Sequence, residues 1–330
     1  MVGRSRDPAA QAKREALEAE LELRQLHRRD ENGALFHLVL PFRLARELRS
    51  FRPQVVLAQD PYVAAAALAA RRLAGMPARV AVDVHGDWRT ATRLYGSPLR
   101  RALSPLADAV AGYALRRADA VRTVSPYTSR LVREAGLEPA AEFPAWTDVG
   151  PFAGPPEPLP ERPTALFVGV LERYKNVDGL VAAWRLVAQR LPEARLVVVG
   201  KGTLRHLVEG FERVEDLPPE EVARRLDDSW VLVLPSRSEG MGRVLIEAFL
   251  RGRGVVGARL GGIADLVEDG VSGLLVEPEP EPLAEALVRV LGDRALAERL
   301  AEGARAAGAA YRPQDYAKNV AALVEAMMAR

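Results

Sequence analysis

The stretch PSRSEGMGRVLIEAF, residues 235–249, decides how the second half of the chain folds. An apolar strand ends at its first residue, a loop of serine and glycine carries Glu239, and a helix begins near Arg243. Gly240 and Gly242 let the backbone turn closely in this loop, because they carry no side chain. A strand that ends in a glycine loop and continues as a helix is typical of a doubly wound parallel sheet.

The start of the predicted helix is a candidate site for an anion, because the first N–H groups of a helix have no partner within it. Glu247 lies one turn inside this helix, so a diphosphate bound at the helix start would lie between Glu239 and Glu247. Carboxylates repel a diphosphate, so these two are expected to accept hydrogen bonds from sugar hydroxyls on either side. The alternative is a glycine turn in which Glu239 is solvated and Glu247 favours the helix N-terminus.

Strands and helices alternate outward from this stretch in both directions. Apolar runs predict strands at residues 55–58, 80–84, 118–123, 164–170, 194–200, 230–236, 253–258 and 272–278. Helices are expected at 11–30, 38–49, 63–73, 98–118, after the Ser125-Pro126 turn, and at 177–190, 203–211, 220–229, 243–250, 263–270, 283–308 and 314–328. This alternation predicts an α/β protein with parallel sheets and right-handed crossovers, in which ligands bind beyond the carboxyl ends of the strands.

A proline-rich segment interrupts the alternation and divides the chain. Residues 150–163 hold six prolines and cannot continue a helix or a central strand. We therefore predict an N-terminal domain over residues 1–149, a linker over 150–163 and a C-terminal domain over 164–312. The last segment, 313–330, is expected to form a helix that packs across both domains.

Composition excludes several classes of protein. The 330 residues are 48% hydrophobic and 27% charged, which indicates a globular chain long enough for two domains. The absence of cysteine excludes disulfides and thiolate metal sites, and the four histidines show no pair at metal-ligand spacing. No Asp-x-Asp occurs, so we expect neither a metal site nor a cofactor. The charged first residues do not form a secretory signal, and no apolar run is long enough to cross a membrane.

Charge is divided unevenly along the chain. Residues 1–150 carry 23 basic and 17 acidic residues, whereas the remainder carries 23 and 27. The basic half is suited to an anionic membrane or a phosphorylated acceptor. The alternative is an ordinary solvated surface in an arginine-rich protein.

The motif with Glu239 and Glu247 resembles the signature of the retaining glycosyltransferases of family four, also called group 1. The resemblance covers roughly residues 35–325 and is most specific in 165–280. Further segments similar to that family are DVHGDW (83–88), RADAVRTVSPYTSRLV (117–132), FPAWTDVGPF (143–152), FVGVLERYKNVDGLVAAW (167–184) and GVVGARLGGIADLVEDGVSGLLVEP (254–278). The resemblance implies the GT-B fold, which is two Rossmann-like domains, each a doubly wound parallel sheet, facing a cleft.

The resemblance also implies roles for named residues. Glu239 would hold hydroxyls of the donor sugar and Glu247 those of the ribose, while Lys175 would contact the diphosphate. His85 would reach the donor sugar, which makes His85 and Glu239 the candidate catalytic residues. The candidate donor-binding residues are Arg173, Lys175, Gly240, Met241, Gly242, Arg243, Val244 and Glu247.

Three features depart from the family pattern. Val170 stands where the family often has Arg, and Arg173 is expected to supply that charge. Arg253 stands where the family usually has Pro. The first strand, glycine loop and helix of the family have no counterpart in residues 1–34, which predicts good donor binding but weak or absent transfer.

The function implied is transfer of a hexosyl group from a nucleotide-diphosphate sugar to a glycan, lipid or small-molecule acceptor, with retention at the anomeric carbon. The expected partners are a UDP-sugar or GDP-sugar donor, the acceptor and an anionic membrane touched peripherally from the cytoplasm, with no nucleic acid. Two alternatives stay open. One is a non-catalytic or truncated protein that binds nucleotide sugars, and the other is a sugar epimerase of the same fold.

Overall fold

The computed structural model describes residues 33–94, 102–215, 217–312 and 314–329. The helix expected at 11–30 lies outside these residues. Contacts group the described residues into two compact units, one within residues 33–84, 105–122 and 326–329 and the other within 85–94, 102–104 and 123–325. The predicted boundary at 150–163 stays a prediction.

The described elements alternate as the sequence predicts. The strands are β1 Val55–Ala58, β2 Arg79–Val84, β3 Ala120–Thr123, β4 Ala141–Glu142, β5 Thr164–Val168, β6 Arg195–Val199, β7 Glu212–Val214, β8 Val231–Leu234, β9 Gly254–Ala258 and β10 Gly273–Val276. The α-helices are α1 Gly33–Phe51, α2 Pro61–Ala74, α3 Trp88–Leu94, α4 Ser104–Arg117, α5 Pro126–Glu134, α6 Val177–Arg190, α7 Pro219–Asp227, α8 Arg243–Leu250, α9 Gly261–Leu266, α10 Pro280–Leu291, α11 Arg294–Ala310 and α12 Asp315–Met328.

The first sheet has four strands in the order β1-β2-β3-β4, and β1 pairs parallel to β2. Helix α2 connects these two strands. It begins with Asp60 as N-cap, whose carboxylate accepts from the Val63 N–H at 2.7 Å, and it ends at Gly75 in the left-handed region. The cap and the glycine satisfy free groups at both helix ends.

The second sheet has six parallel strands in the order β10-β9-β8-β5-β6-β7. The chain moves outward from β5 to β6 and β7, then returns to the other side of β5 to build β8, β9 and β10. The strand order therefore reverses between β5 and β8, which lie side by side with Ala165 opposite Val231. Ligands of doubly wound sheets bind at the carboxyl ends of the strands at such a reversal point.

Both faces of the second sheet are covered by helices. Strand β8 consists of four apolar residues, none of which is exposed to solvent. One face packs on α6 and α10 through residues such as Leu180 and Leu287, and the other packs on α7 and α8 through Leu226 and Leu245. Burial on two faces explains why the strands are continuous apolar runs instead of alternating ones. The sheet is a rigid platform for the loops at its edge.

Two expected helices are wrong in detail. Residues 203–211 contain only a short 3-10 turn, Arg205–Val208, and the edge strand β7 that follows is not predicted by the sequence pattern. The helix expected over 283–308 is two helices, α10 and α11. Asp293 ends the continuity, because its carboxylate accepts from the Leu296 N–H at 3.0 Å and so begins a new helix.

The proline-rich segment is bound to the second sheet's unit by its carbonyl groups. The Trp230 indole N–H donates to the Pro160 oxygen at 2.8 Å, and Arg294 donates to the Leu159 oxygen at 2.7 Å. Arg253, the residue in the usual proline position, is fully buried and donates to the carbonyls of Leu226 and Asp227. Burial lowers the pKa of the Arg253 guanidinium to about 10, and the Asp227 carboxylate partly offsets this effect.

Candidate functional site

The loops that follow β5 and β8 meet through an ion pair. Lys175 Nζ lies 2.5 Å from Glu239 Oε2, and the two side chains are 12% and 17% exposed. Lys175 ends a 3-10 turn, after which Asn176 takes a left-handed backbone and α6 begins. The two groups are 64 residues apart in sequence. They meet because β5 and β8 are neighbours in the sheet.

The first part of the β8 loop is attached to the Lys175 turn by its backbone. The Arg237 N–H donates to the Tyr174 oxygen at 2.8 Å, and the Arg237 guanidinium binds both oxygens of Asp178 at 3.2 and 3.1 Å. A bidentate arginine–carboxylate pair fixes direction as well as distance. The two loops that carry Lys175 and Glu239 are thus held together at two further points.

The start of α8 has the geometry that the sequence predicts for an anion site. Gly242 precedes the helix with φ +71°, a left-handed backbone that strains any residue with a Cβ. No side chain caps the helix, and Leu245 is the first residue whose N–H returns to the Gly242 oxygen, at 2.8 Å. Within the described residues, the N–H groups of Arg243 and Val244 donate to no acceptor.

Glu247 lies one turn inside α8. It is partly buried, and no described residue donates a hydrogen bond to its carboxylate. Burial raises the pKa of the Glu247 carboxyl, and the positive charge of Arg243 opposes this shift only in part. A half-buried carboxylate without a donor is unfavourable on its own, so it is suited to accept bonds from a polar ligand.

The backbone of the β8 loop fits tightly against two other segments. A Cβ placed on Gly240 would lie 1.8 Å from the carbonyl oxygen of His85, and one on Gly262 would lie 2.0 Å from the oxygen of Gly240. The Gly262 N–H also donates to the Glu239 oxygen at 2.8 Å. The glycines are thus required for close backbone packing on both sides of Glu239.

Ser125 supports the loop of the candidate site, which the sequence does not predict. Its hydroxyl donates to the Gly240 oxygen at 2.6 Å while the side chain is buried and caps α5. Its position before Pro126 predicts only a turn. No feature of the nearby sequence predicts that this capping serine also donates a hydrogen bond to a loop 115 residues away.

The structure places Met241 differently from its neighbours in the loop. Its side chain is buried against Val124 and Ile246, and its sulfur accepts from the Ala145 N–H at 3.3 Å. The Tyr311 hydroxyl donates to the Ala145 oxygen at 3.0 Å from the opposite direction. Met241 therefore anchors the loop with its side chain, so only its backbone could contact a ligand.

His85 and Arg173 are the two remaining candidate residues, and both are exposed. His85 is exposed, directly after the end of β2, and belongs to the same compact unit as Glu239. Arg173 is exposed as well, and its side chain has no hydrogen bond or ion pair with a described residue. The structure thus brings Lys175, Glu239 and the start of α8 together, with His85 joined to them through the backbone of Gly240.

Two kinds of site are absent from the described ranges of the chain. No group of three or more His, Cys, Asp or Glu there is arranged to hold a metal ion. No helix in the same ranges is both long and apolar enough to cross a membrane.

Two family descriptions match consecutive parts of the chain. Residues 162–293 match the family described as "Glycosyl transferases group 1". Residues 1–143 match the "Glycosyl transferase 4-like domain". All six strands of the second sheet, β5 to β10, lie within residues 162–293.

Two curated relatives match different shares of the chain. The alpha-D-kanosaminyltransferase of Streptomyces kanamyceticus is 31% identical over 157 residues, which is 44% of this chain and 41% of that protein. The glycogen synthase of Mycobacterium tuberculosis is 29% identical over 273 residues, which is 78% of this chain and 64% of that protein. The chain therefore spans less than two thirds of the length of these relatives.

Solved structures resemble the whole fold. A sucrose-phosphate synthase from Thermosynechococcus elongatus superposes with a TM-score of 0.78 at 21% identity, covering 91% of this chain and 80% of that one. HepE of Anabaena, solved in complex with UDP and glucose, gives a TM-score of 0.70 at 17% identity and covers 94% and 88% of the two chains. At these identities the likeness concerns the fold alone.

Proposed function

Because the chain belongs to the group 1 glycosyltransferases of the GT-B fold, with a family-four-like N-terminal part, we propose that it transfers a hexosyl group from a nucleotide-diphosphate sugar to a hydroxyl acceptor. The observation that carries this proposal is the Lys175–Glu239 ion pair beside the open start of α8, at the carboxyl ends of β5 and β8, with Glu247 one turn inside that helix. A nucleoside diphosphate sugar offers each of these groups a matching partner.

The start of α8 and Lys175 are proposed to hold the diphosphate. The N–H groups of Arg243 and Val244 supply hydrogen-bond donors and the positive end of the helix dipole. Lys175 uses one N–H on Glu239 Oε2, which leaves two for phosphate oxygens. Arg173 is the further cation we assign to the diphosphate, since its exposed side chain is free of any described partner.

The two carboxylates are proposed to bind hydroxyls on opposite sides of the diphosphate. Glu239 has one oxygen engaged by Lys175, so its other oxygen accepts from the donor sugar. Glu247, which has no donor among the described residues, accepts from the ribose. His85 completes the sugar side of the site, because its backbone lies against Gly240 next to Glu239.

These groups suit a transfer in which the leaving group carries the charge. The anomeric carbon exchanges its bond to a diphosphate oxygen for a bond to an acceptor oxygen, and the proton of the acceptor hydroxyl passes to the departing diphosphate. The diphosphate departs with the electron pair of the broken bond. Fixed donors that face the departing oxygen stabilise this charge without moving, which is the usual source of large rate effects. We propose metal-independent transfer with retention, as the family resemblance implies.

The donor is proposed to be a UDP-hexose or GDP-hexose, and the acceptor a glycan, a lipid or a small molecule. HepE of Anabaena, which shares this fold, was solved with UDP and glucose, so UDP and UDP-glucose are the first probes. The proposal includes peripheral contact with an anionic membrane on its cytoplasmic side, supported by the excess of six positive charges in residues 1–150. A non-catalytic sugar-nucleotide-binding protein and an epimerase of this fold are the competing functions.

The test begins with a thermal-shift panel of UDP-hexoses and GDP-hexoses, because a bound ligand stabilises by mass action. Calorimetry then compares UDP and GDP binding by the parent chain, Glu247→Ala and the control Glu302→Ala, an exposed carboxylate on α11. Loss of an acceptor for ribose hydroxyls is expected to cost about 1–3 kcal/mol of binding free energy in the first variant only. Equal affinities of parent and Glu247→Ala would refute the assignment.

Incubation with the donor separates the three functions. A transferase releases UDP or GDP in proportion to a glycosylated acceptor. An epimerase converts the donor in the absence of any acceptor, and a binding protein does neither. Donor binding without turnover across a panel of glycan, lipid and small-molecule acceptors would favour the non-catalytic function.

A further inference from the structure

Helix α4 exposes apolar side chains along one face. The face that packs on the protein contains small residues and one leucine, Ala111, Ala114 and Leu115. On the opposite face Leu106 is 63% exposed, and Val110 and Tyr113 are each 38% exposed. Their spacing of four and three residues places them in one stripe along the helix. A surface helix normally turns its polar residues to water, so this arrangement is the reverse of the usual one.

Arginines surround one end of the stripe. Arg72 of α2 donates to the Tyr113 hydroxyl at 2.7 Å, and Arg116 and Arg117 form the last turn of α4. None of these three arginines has an ion pair with a carboxylate in the described ranges. The nearby Arg71 is different, since Asp119 neutralises it at 2.7 Å.

The ionisation of Tyr113 reflects these cations. The hydrogen bond from Arg72, followed by the charges of Arg117 and Arg71, lowers the pKa of the Tyr113 phenol.

We call the six residues Leu106, Val110, Tyr113, Arg72, Arg116 and Arg117 the α4 face. The α4 face has apolar side chains at its centre and three arginines at its margin.

We propose that the α4 face docks on an anionic lipid bilayer, with Leu106 and Val110 inserted at the level of the acyl chains and the arginines on the lipid phosphates. This rests on the membrane contact in the proposed function and names the surface that makes it. Amphipathic helices bind membranes through buried apolar area together with attraction to anionic headgroups. Arginine stems lie along the apolar boundary while the guanidinium groups reach the phosphate level.

Two other occupants fit the α4 face less well. A second copy of the chain related by a two-fold axis would bring the unpaired arginines of both copies towards one another, which is unfavourable. An acidic protein would match the charge, but a helix surface is convex and offers no groove for an apolar anchor. A bilayer satisfies both features, because it accepts a protruding apolar stripe and supplies a continuous negative surface.

The experiment is flotation of the full chain with vesicles of phosphatidylcholine alone and of phosphatidylcholine with 40% phosphatidylglycerol. Two double variants are compared with the parent, Leu106→Ser with Val110→Ser, and Arg116→Gln with Arg117→Gln. The control carries Val271→Ser and Arg299→Gln, an exposed valine and an exposed unpaired arginine elsewhere on the chain. All of these positions are exposed, so each variant is expected to fold.

We expect the parent to bind anionic vesicles and to lose that binding as salt is raised. Removal of two arginines is expected to weaken partitioning roughly 30-fold. Removal of the two apolar side chains is expected to weaken it about tenfold or more. The control should bind like the parent. Absence of anionic-vesicle binding, or equal binding by the α4-face variants and the control, would overturn the proposal.

Two further measurements keep the outcomes separate. Calorimetry with UDP should give the same affinity for all four proteins, so failure of vesicle binding leaves the proposed donor site untouched, and failure of UDP binding leaves the membrane result standing. Gel filtration reports the oligomeric state. A dimer that dissociates in the Leu106→Ser, Val110→Ser variant, without vesicle binding by the parent, would assign the α4 face to a second copy and overturn the lipid proposal.

Discussion

The backbone of Gly240 lies against the carbonyl oxygen of His85, so closely that a Cβ on Gly240 would stand 1.8 Å from that oxygen. Gly240 follows Glu239 in the loop after β8, and His85 follows the last residue of β2. A ligand that bound to Glu239 would therefore lie beside the backbone of His85.

Gly240→Ala is expected to impair both folding and UDP binding. A Cβ contact with a backbone oxygen cannot be relieved by a rotamer change, so the loop or the His85 segment must move. We expect a fall in Tm and at least a roughly tenfold weaker affinity for UDP, equivalent to about 1.4 kcal/mol. The matched control is Gly210→Ala, where a Cβ meets nothing within 4 Å. Equal UDP affinity in the two variants would contradict the prediction.

Ser125→Ala separates the positioning of the loop from the capping of α5. The change removes the donor to the Gly240 oxygen and also the N-cap, whose loss typically costs about 0.5–2 kcal/mol of unfolding free energy. Asp293→Ala removes the N-cap of α11, away from the loop, and serves as the control for capping. Urea unfolding should show comparable losses, whereas calorimetry should show weaker UDP binding for Ser125→Ala alone. Weaker UDP binding by both variants would contradict the prediction, because the loss of affinity would then follow from the lost cap and not from the position of the loop.

Glu247→Gln is expected to stabilise the ligand-free chain at neutral pH. Burial raises the pKa of the Glu247 carboxyl in the folded state above its ordinary value of 4.5. The folded chain then binds this proton more tightly than the unfolded chain, so the group lowers stability as pH rises from 4.5 through the raised folded pKa. Glutamine removes this penalty. Urea unfolding at pH 7.5 should favour the variant, and the difference should shrink at pH 4, with Glu302→Gln as the exposed control.

Lys175→Met is expected to weaken the binding of UDP more than that of uridine. The ammonium is proposed to contact the diphosphate, which uridine lacks, and the change also leaves Glu239 without its partner. Loss of one charged hydrogen bond corresponds to about 1.5–3 kcal/mol. Lys318→Ala, an exposed lysine on α12, is the control. Equal losses for UDP and uridine would place Lys175 away from the diphosphate.

Transfer is expected to continue in the presence of EDTA. The sequence contains no Asp-x-Asp, and the proposed diphosphate site consists of Lys175, Arg173 and the N–H groups of α8. Release of UDP from a UDP-hexose would be followed with and without EDTA, and then with added magnesium or manganese. Activity that EDTA abolishes and either metal restores would show that the proposed site is wrong.

The amino-acid sequence by itself determined the local elements and the loops that carry the site. Helices α6 and α8 begin and end at the predicted residues, and Gly242 has the left-handed backbone expected of a tight loop. These features are local, because helix periodicity and the conformational range of glycine act over a few neighbouring residues. The placement of Glu239 and Lys175 in loops after adjacent parallel strands also follows from the order of elements along the chain.

Only the tertiary structure decided which distant groups meet. The short strand β7 forms by pairing along β6, and neither its length nor its composition distinguishes it from a loop. The hydrogen bond from Ser125 to Gly240 and the burial of Arg253 among carbonyl oxygens depend on how α5, α7 and β9 pack. The ion pair of Lys175 with Glu239 requires β5 beside β8, a pairing set by the return of the chain across the sheet. Such contacts depend on the packing of segments far apart in sequence, so propensities that act over a few residues do not determine them.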